Sequence, residues 1–125
     1  MAKILVVDDE HALRDMMTMR LKANGYDVVT AIDGEDGLNK ARAERPDLIL
    51  LDIMMPAMDG LMVLSRLKSD LELSFVPVIM LTAKSDTEAI MESQSAGAAD
   101  YILKPFDGDE LMKLVKKTLE LNPPV

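Results

Sequence analysis

The stretch DLILLD, residues 47–52, decides the fold. Four aliphatic side chains stand in a row between two aspartates, with nothing polar among them. A strand with one wet face alternates apolar and polar residues. A run apolar throughout marks a strand buried on both faces, as in a parallel sheet covered by helices. Outward from this stretch, comparable runs recur: KILVVD (3–8), DVVTA (27–31), VPVIMLT (76–82) and DYILK (100–104). Amphipathic segments separate them. Leu13, Met17 and Leu21 recur every four residues before Gly25 stops the first helix. The second, about 34–45, turns Leu38 and Ala41 inward and ends before Pro46. The third opens at Asp59 as N-cap and carries Leu61, Val63, Leu64 and Leu67. SDTE (85–88) and DGDE (107–110) read as capping boxes for the fourth and fifth. The fifth buries Leu111, Leu114, Val115 and Leu119 and leaves Lys113, Lys116 and Lys117 as a solvated face. The fourth, AIMESQSAGA, offers few large anchors, and Ser93, Ser95 and Gly97 lower its helix propensity. Strand then helix, five times over, predicts a doubly wound α/β sandwich with right-handed crossovers.

The 125 residues suit one domain with one core, filled by aliphatics and eleven Met rather than by aromatics. A net charge of −8 argues against direct nucleic-acid binding or an anionic membrane as partner. The absence of cysteine excludes disulfides and thiolate metal sites and fits a cytoplasmic location. MAKILVVDD lacks the apolar stretch of a signal peptide, and no apolar run is long enough to span a bilayer. The expected organisation is one domain over 1–121, with NPPV (122–125) as a helix stop and tail or linker stub.

In open parallel sheets, function collects beyond the carboxyl ends of the strands. The first strand ends in Asp8 and Asp9, the third in Asp52, the fourth in Thr82 and the fifth in Lys104. Singly, each is ordinary loop chemistry, and either Asp8 or Asp9 could simply cap the first helix. Gathered on one edge, three carboxylates repel one another and call for a counter-ion. A hard divalent cation such as Mg²⁺ suits them, accepting one or two carboxylates and keeping several waters. Mg²⁺ so held awaits a phosphate, and a carboxylate beside it can act as a nucleophile, forming an aspartyl-phosphate. The Thr82 hydroxyl and Lys104 ammonium then serve the remaining phosphoryl oxygens.

ILVVDDE, PDLILLDIMMPAMDG, PVIMLTA and GAADYILKPF, in this order and spacing, resemble the receiver domain of bacterial response regulators, of the chemotaxis-regulator type. The resemblance covers nearly the whole chain. It implies a flavodoxin-like five-stranded sheet of order 2-1-3-4-5, with Asp52 between the acidic pair and Thr82. Asp52 would be the phospho-acceptor. Mg²⁺, with Mn²⁺ as substitute, would be held by Asp9, Asp52 and the Met54 backbone carbonyl, with Asp8 acting through water. Thr82 and Lys104 would contact the phosphoryl group, Tyr101 would swing inward with Thr82, and the Lys104–Pro105 bond would be cis. The donor would be a phosphohistidine on a sensor histidine kinase or phosphotransfer protein. The fourth helix, fifth strand and fifth helix would present the signal to a downstream target, an effector domain or a second copy in a phosphorylation-dependent homodimer. The only catalysis expected is of the chain's own phosphorylation and dephosphorylation. A receiver standing alone is the simplest reading of the length.

Pro56 and Gly60 are expected to give the loop after Asp52 its tight turns. Position 54 is Met where other members carry polar residues, and an apolar side chain cannot orient an attacking water. Together with Lys84 after Thr82, this predicts slow self-dephosphorylation. His11, the single histidine, reads as an exposed first-turn residue with no base beside it. Three other readings share parts of the pattern. A flavodoxin-like cofactor binder needs a Ser/Thr/Gly-rich phosphate loop where this chain is acidic. A haloacid-dehalogenase-type hydrolase wants a second Asp at position 54. A non-phosphorylated docking domain has no need of the complete set Asp8, Asp9, Asp52, Thr82 and Lys104.

Overall fold

The computed structural model describes residues 1–83 and 86–123. Strands β1 (Lys3–Val7), β2 (Asp27–Ala31), β3 (Leu48–Asp52), β4 (Val78–Ala83) and β5 (Asp100–Lys104) form one parallel sheet. Its order is β2-β1-β3-β4-β5. Helices α1 (His11–Ala23), α2 (Gly34–Glu44), α3 (Gly60–Ser69), α4 (Thr87–Ser95) and α5 (Gly108–Leu121) connect and follow the strands.

The uninterrupted apolar runs are explained by two cores. Leu5, Val7, Ile49, Leu51 and Met80 meet Leu38 and Ala41 of α2 and Val63, Leu64 and Leu67 of α3. Their neighbours Ile4, Val6, Leu48, Leu50, Ile79 and Leu81 face the other way, against Met17 and Leu21 of α1 and Leu111 and Val115 of α5. Side chains alternate between faces, so a central strand needs an apolar residue at every position. All five positions of β3 are buried, whereas the edge strands β2 and β5 are mostly half-buried, as DVVTA and DYILK suggest.

Four helices start on an aspartate. Asp33, Asp59, Asp86 and Asp107 accept the N–H of Asp36, Met62, Ala89 and Glu110 respectively. The expected box at SDTE thus begins one residue later than expected, at Asp86; Ser85 lies outside the described residues. Helix α1 differs. Its N-cap, Glu10, makes no side-chain cap bond. Asp8 Oδ1 accepts the Glu10 N–H at 2.8 Å instead, so neither Asp8 nor Asp9 is consumed as the helix cap.

Gly25 and Gly97, at φ +87° and +99°, end α1 and α4 in the left-handed conformation. Gly97 therefore terminates α4 rather than weakening its interior. The N–H groups of Gly97 and Ala98 reach Gln94 O and Ser93 O, a Schellman closure. Helix α4 is nonetheless thinly anchored, burying just Ala89 and Ser93. In α5, Leu111 and Val115 are buried, but Leu114 and Leu119 are half-buried. Thr118 takes the inner place, its hydroxyl satisfied by Leu114 O at 2.7 Å.

Candidate functional site

Strand register brings the polar strand ends to one rim. Val7 lies level with Leu51, Asp52 with Leu81, and Ala83 with Lys104. Asp8 thus leaves β1 beside the end of β3, and Thr82 sits on the strand next to Asp52. Asp8, Asp52 and Thr82 are buried, and Asp9 is exposed. One oxygen from each of Asp8, Asp9 and Asp52 lies within 4.8 Å of the other two.

The Lys104 ammonium enters this cluster, 3.1 Å from Asp52 Oδ1 and 3.5 Å from Asp8 Oδ2. Although two strands' width separates the β3 and β5 backbones, the long amine spans it. One ammonium does not balance three carboxylates. Burial first, and then the Asp8 charge, push the Asp52 carboxyl up from 3.8 to about 6 against the opposing pull of Lys104. Burial works against the Lys104 charge, yet Asp52 and Asp8 outweigh it and hold the ammonium above its ordinary range. Asp52 Oδ1 also accepts the Met54 N–H, at 3.3 Å. Asp8 Oδ2 is buried and, among the described residues, has only the long 3.5 Å approach of the Lys104 ammonium and no well-formed hydrogen bond. A buried carboxylate oxygen so loosely satisfied is costly unless a further cation completes it. The three carboxylates, two of them buried and one open to solvent, fit a hard oxygen-liganded cation.

The loop after β3 is built to hold Asp52. Gly60 is required by proximity rather than by a turn conformation: an added Cβ would run into the Asp52 carbonyl oxygen and stand 2.7 Å from Ile53 Cα. Its N–H closes onto Ile53 O at 2.8 Å. The sharp turn falls instead at Ala57, whose φ of 66° is left-handed, and Met58 N–H donates to Pro56 O at 2.7 Å. Met54 projects outward, 68% exposed. The Lys104–Pro105 peptide is cis. Thr82 Oγ1 has a long contact to Ala83 O at 3.4 Å, leaving the hydroxyl weakly committed. Tyr101 is half-buried, packed against the core beneath α2, α3 and α4. Lys84 lies outside the described residues.

Sequence reasoning missed two features. His11 does have a carboxylate beside it, Asp15 Oδ2 at 3.1 Å, one helical turn on; the His-x-x-x-Asp spacing was the available signal. Arg14 reaches back from α1, its Nη1 donating to the Asp8 backbone carbonyl at 2.8 Å. No short motif announces that contact.

Comparison with known proteins agrees with this geometry. The response regulator receiver domain family matches residues 4–116. The DNA-binding response regulator MtrA of Mycobacterium tuberculosis is 44% identical over 120 residues, 96% of this chain and 51% of that protein. The alkaline phosphatase synthesis transcriptional regulatory protein PhoP of Bacillus subtilis is 45% identical over 117 residues, 94% of this chain and 48% of that protein. The chain thus spans about half the length of these relatives. Among solved structures, the chemotaxis protein CheY4 of Vibrio cholerae superposes with a TM-score of 0.90 at 36% identity, covering 95% of this chain and 99% of that one. Sheet order, rim carboxylates and sequence kinship converge, and the chain belongs to the response regulator receiver domain family of two-component signalling.

Proposed function

We propose that this receiver accepts a phosphoryl group on Asp52 from a phosphohistidine of a sensor histidine kinase or phosphotransfer protein. The observation that carries the reading is the Lys104 ammonium bridging Asp52 Oδ1 and the buried Asp8 Oδ2, one cation among three clustered carboxylates. Asp9, Asp52 and the Met54 carbonyl would hold Mg²⁺, or Mn²⁺ in its place, with Asp8 acting through water. The bound ion would supply charge neutralisation for the phosphoryl oxygens. A carboxylate oxygen of Asp52 attacks phosphorus in line. The O–P bond forms as the P–N bond breaks, and the bonding pair leaves with the donor imidazole. Lys104, already within 3.1 Å of Asp52, moves its charge onto a phosphoryl oxygen, and the Thr82 hydroxyl donates to another.

Drawing Thr82 toward the phosphoryl group vacates space beside Tyr101, which turns inward. Helix α4, held by Ala89 and Ser93, is the element best able to shift. The α4, β5 and α5 surface then presents the signal to a target, an effector domain or a second copy of the chain. The receiver occupies 1–121, with 122–125 as tail or linker, and catalyses nothing beyond its own phosphorylation and dephosphorylation. Its place is the cytoplasm. No described helix is long and apolar enough to cross a membrane.

Incubation with acetyl phosphate and Mg²⁺ should add the mass of one phosphoryl group to the wild type and none to Asp52→Asn. An unmodified wild type overturns the reading and favours a docking domain with a vestigial site, and a modified Asp52→Asn overturns Asp52 as the acceptor.

A further inference from the structure

We infer that Arg14 is a positioning residue for the acidic pair, fixing the Asp8–Asp9 peptide so that the carboxylates face a divalent cation; this rests on the receiver reading above. Where β1 gives way to α1, every Asp8 group has a partner, Oδ2 the most distant one, the Lys104 ammonium at 3.5 Å. Its N–H donates to Ala31 O at 3.2 Å, Oδ1 accepts from Glu10 N–H at 2.8 Å, and its carbonyl accepts from Arg14 Nη1 at 2.8 Å. Backbone bonds hold β1 as far as the Asp8 N–H, and α1 begins at His11. Between those points Arg14 ties the carbonyl end of Asp8, the peptide from which Asp9 projects. Arg14 is half-buried, and its second nitrogen, Nη2, lies 3.2 Å from His11 Nδ1. His11 Nε2 in turn meets Asp15 at 3.1 Å. The guanidinium fork is thereby oriented from its outer side.

Charge and position make opposite predictions. Removing a cation near three carboxylates deepens their negative potential and tightens Mg²⁺ binding if charge is all that Arg14 supplies. Loosening the Asp8–Asp9 peptide weakens it. Outer groups that orient metal ligands are typically worth ~10–100-fold in affinity. Calorimetric Mg²⁺ titration of Arg14→Met, which keeps the aliphatic stem and removes every donor, should show affinity weakened ~10-fold. Arg14→Lys, which keeps one donor, should stay within about 3-fold of wild type. His11→Ala, which leaves the Asp8 bond intact, should behave like Arg14→Lys. Amide exchange at Asp9 and Glu10 in EDTA should quicken in Arg14→Met. Unchanged or tighter Mg²⁺ binding by Arg14→Met overturns the assignment. Should that variant fail to fold, Arg14→Gln carries the same expectation at roughly 5-fold. A wild type that neither binds Mg²⁺ nor is phosphorylated sinks the receiver reading itself. A wild type that does both, beside an Arg14→Met of equal affinity, sinks the positioning role alone.

Discussion

Replacing Asp52 by Asn should stabilise the metal-free protein at neutral pH. The native fold binds the Asp52 proton more tightly than the unfolded chain does, because the carboxyl is pushed from 3.8 up to about 6, by burial first and Asp8 second. Stability from this group is therefore lost as pH rises through the window from about 4 to about 6, and the full cost stands above it. Two units at 1.36 kcal/mol each give roughly 3 kcal/mol. Asn imitates the uncharged acid in shape and still accepts the Met54 N–H, but it gives up the ammonium 3.1 Å away. Lys104 keeps Asp8. A gain of about 1–3 kcal/mol at pH 7.5 is the expected outcome. For a chain of this length each kcal/mol moves Tm by about 4 °C.

Urea unfolding in EDTA at pH 4, 5, 6 and 7.5 reads this directly. The Asn variant should match wild type near pH 4 and pull ahead as pH rises, levelling above 6. Mg²⁺ should then reverse the order, since a site saturated 100-fold over its Kd adds about 2.7 kcal/mol to the wild type and less to the variant lacking a carboxylate. A pH-independent difference, or an Asn variant less stable than wild type at pH 7.5 in EDTA, refutes the electrostatic account of this site.

The remaining predictions concern the loop, the phosphoryl lifetime and the switch. Gly60→Ala drives a Cβ into the Asp52 backbone and should cost about 2–3 kcal/mol in urea unfolding while slowing phosphorylation; a silent substitution would show that the loop is not fitted to β3. Ala57→Gly relieves a left-handed alanine and should stabilise by about 1 kcal/mol in the same assay. Met54→Asn gives an attacking water a partner worth about 1.4 kcal/mol, so phosphoryl loss should quicken roughly 10-fold; equal lifetimes would exclude position 54 as the brake. Amide exchange over residues 82–106 should change when beryllofluoride and Mg²⁺ are added, and no change there would count against the α4 to α5 output surface.

The fold was largely legible because its decisive signal is local. Apolar runs without alternation announce buried strands, and β1, β3 and β4 fall where KILVVD, DLILLD and VPVIMLT place them, to within two residues. Aspartate caps at 59 and 107 were equally readable, since a cap lies three residues from the N–H it satisfies. Strand order was not local, and it came from family resemblance. The carboxylates and Lys104 were legible as strand-end residues. What could not be read was contact made by long side chains across the rim. Arg14 reaches the Asp8 carbonyl from six residues on. Backbone conformation escaped too. Ala57 adopts a left-handed φ because its neighbours Pro56 and Met58 close a three-residue turn, against its own preference.

Stability and chemistry pull this molecule in opposite directions, and the sheet explains how both are served. A buried carboxylate beside another is a poor way to end the central strand, and a pKa near 6 measures that conflict. The cost falls on a strand whose five positions are all buried, paired on both sides and covered by both cores. The destabilising charge therefore rests on the part of the fold least able to yield. One compensating cation comes from the edge strand through Lys104, and under the proposed function a second would come from solution. An element that moves must be sought where anchoring is thin, and α4 buries an alanine and a serine while α3 buries Val63, Leu64 and Leu67. If neutralising Asp52 relaxes the rim, the rim's outer helix should respond before its central strands do.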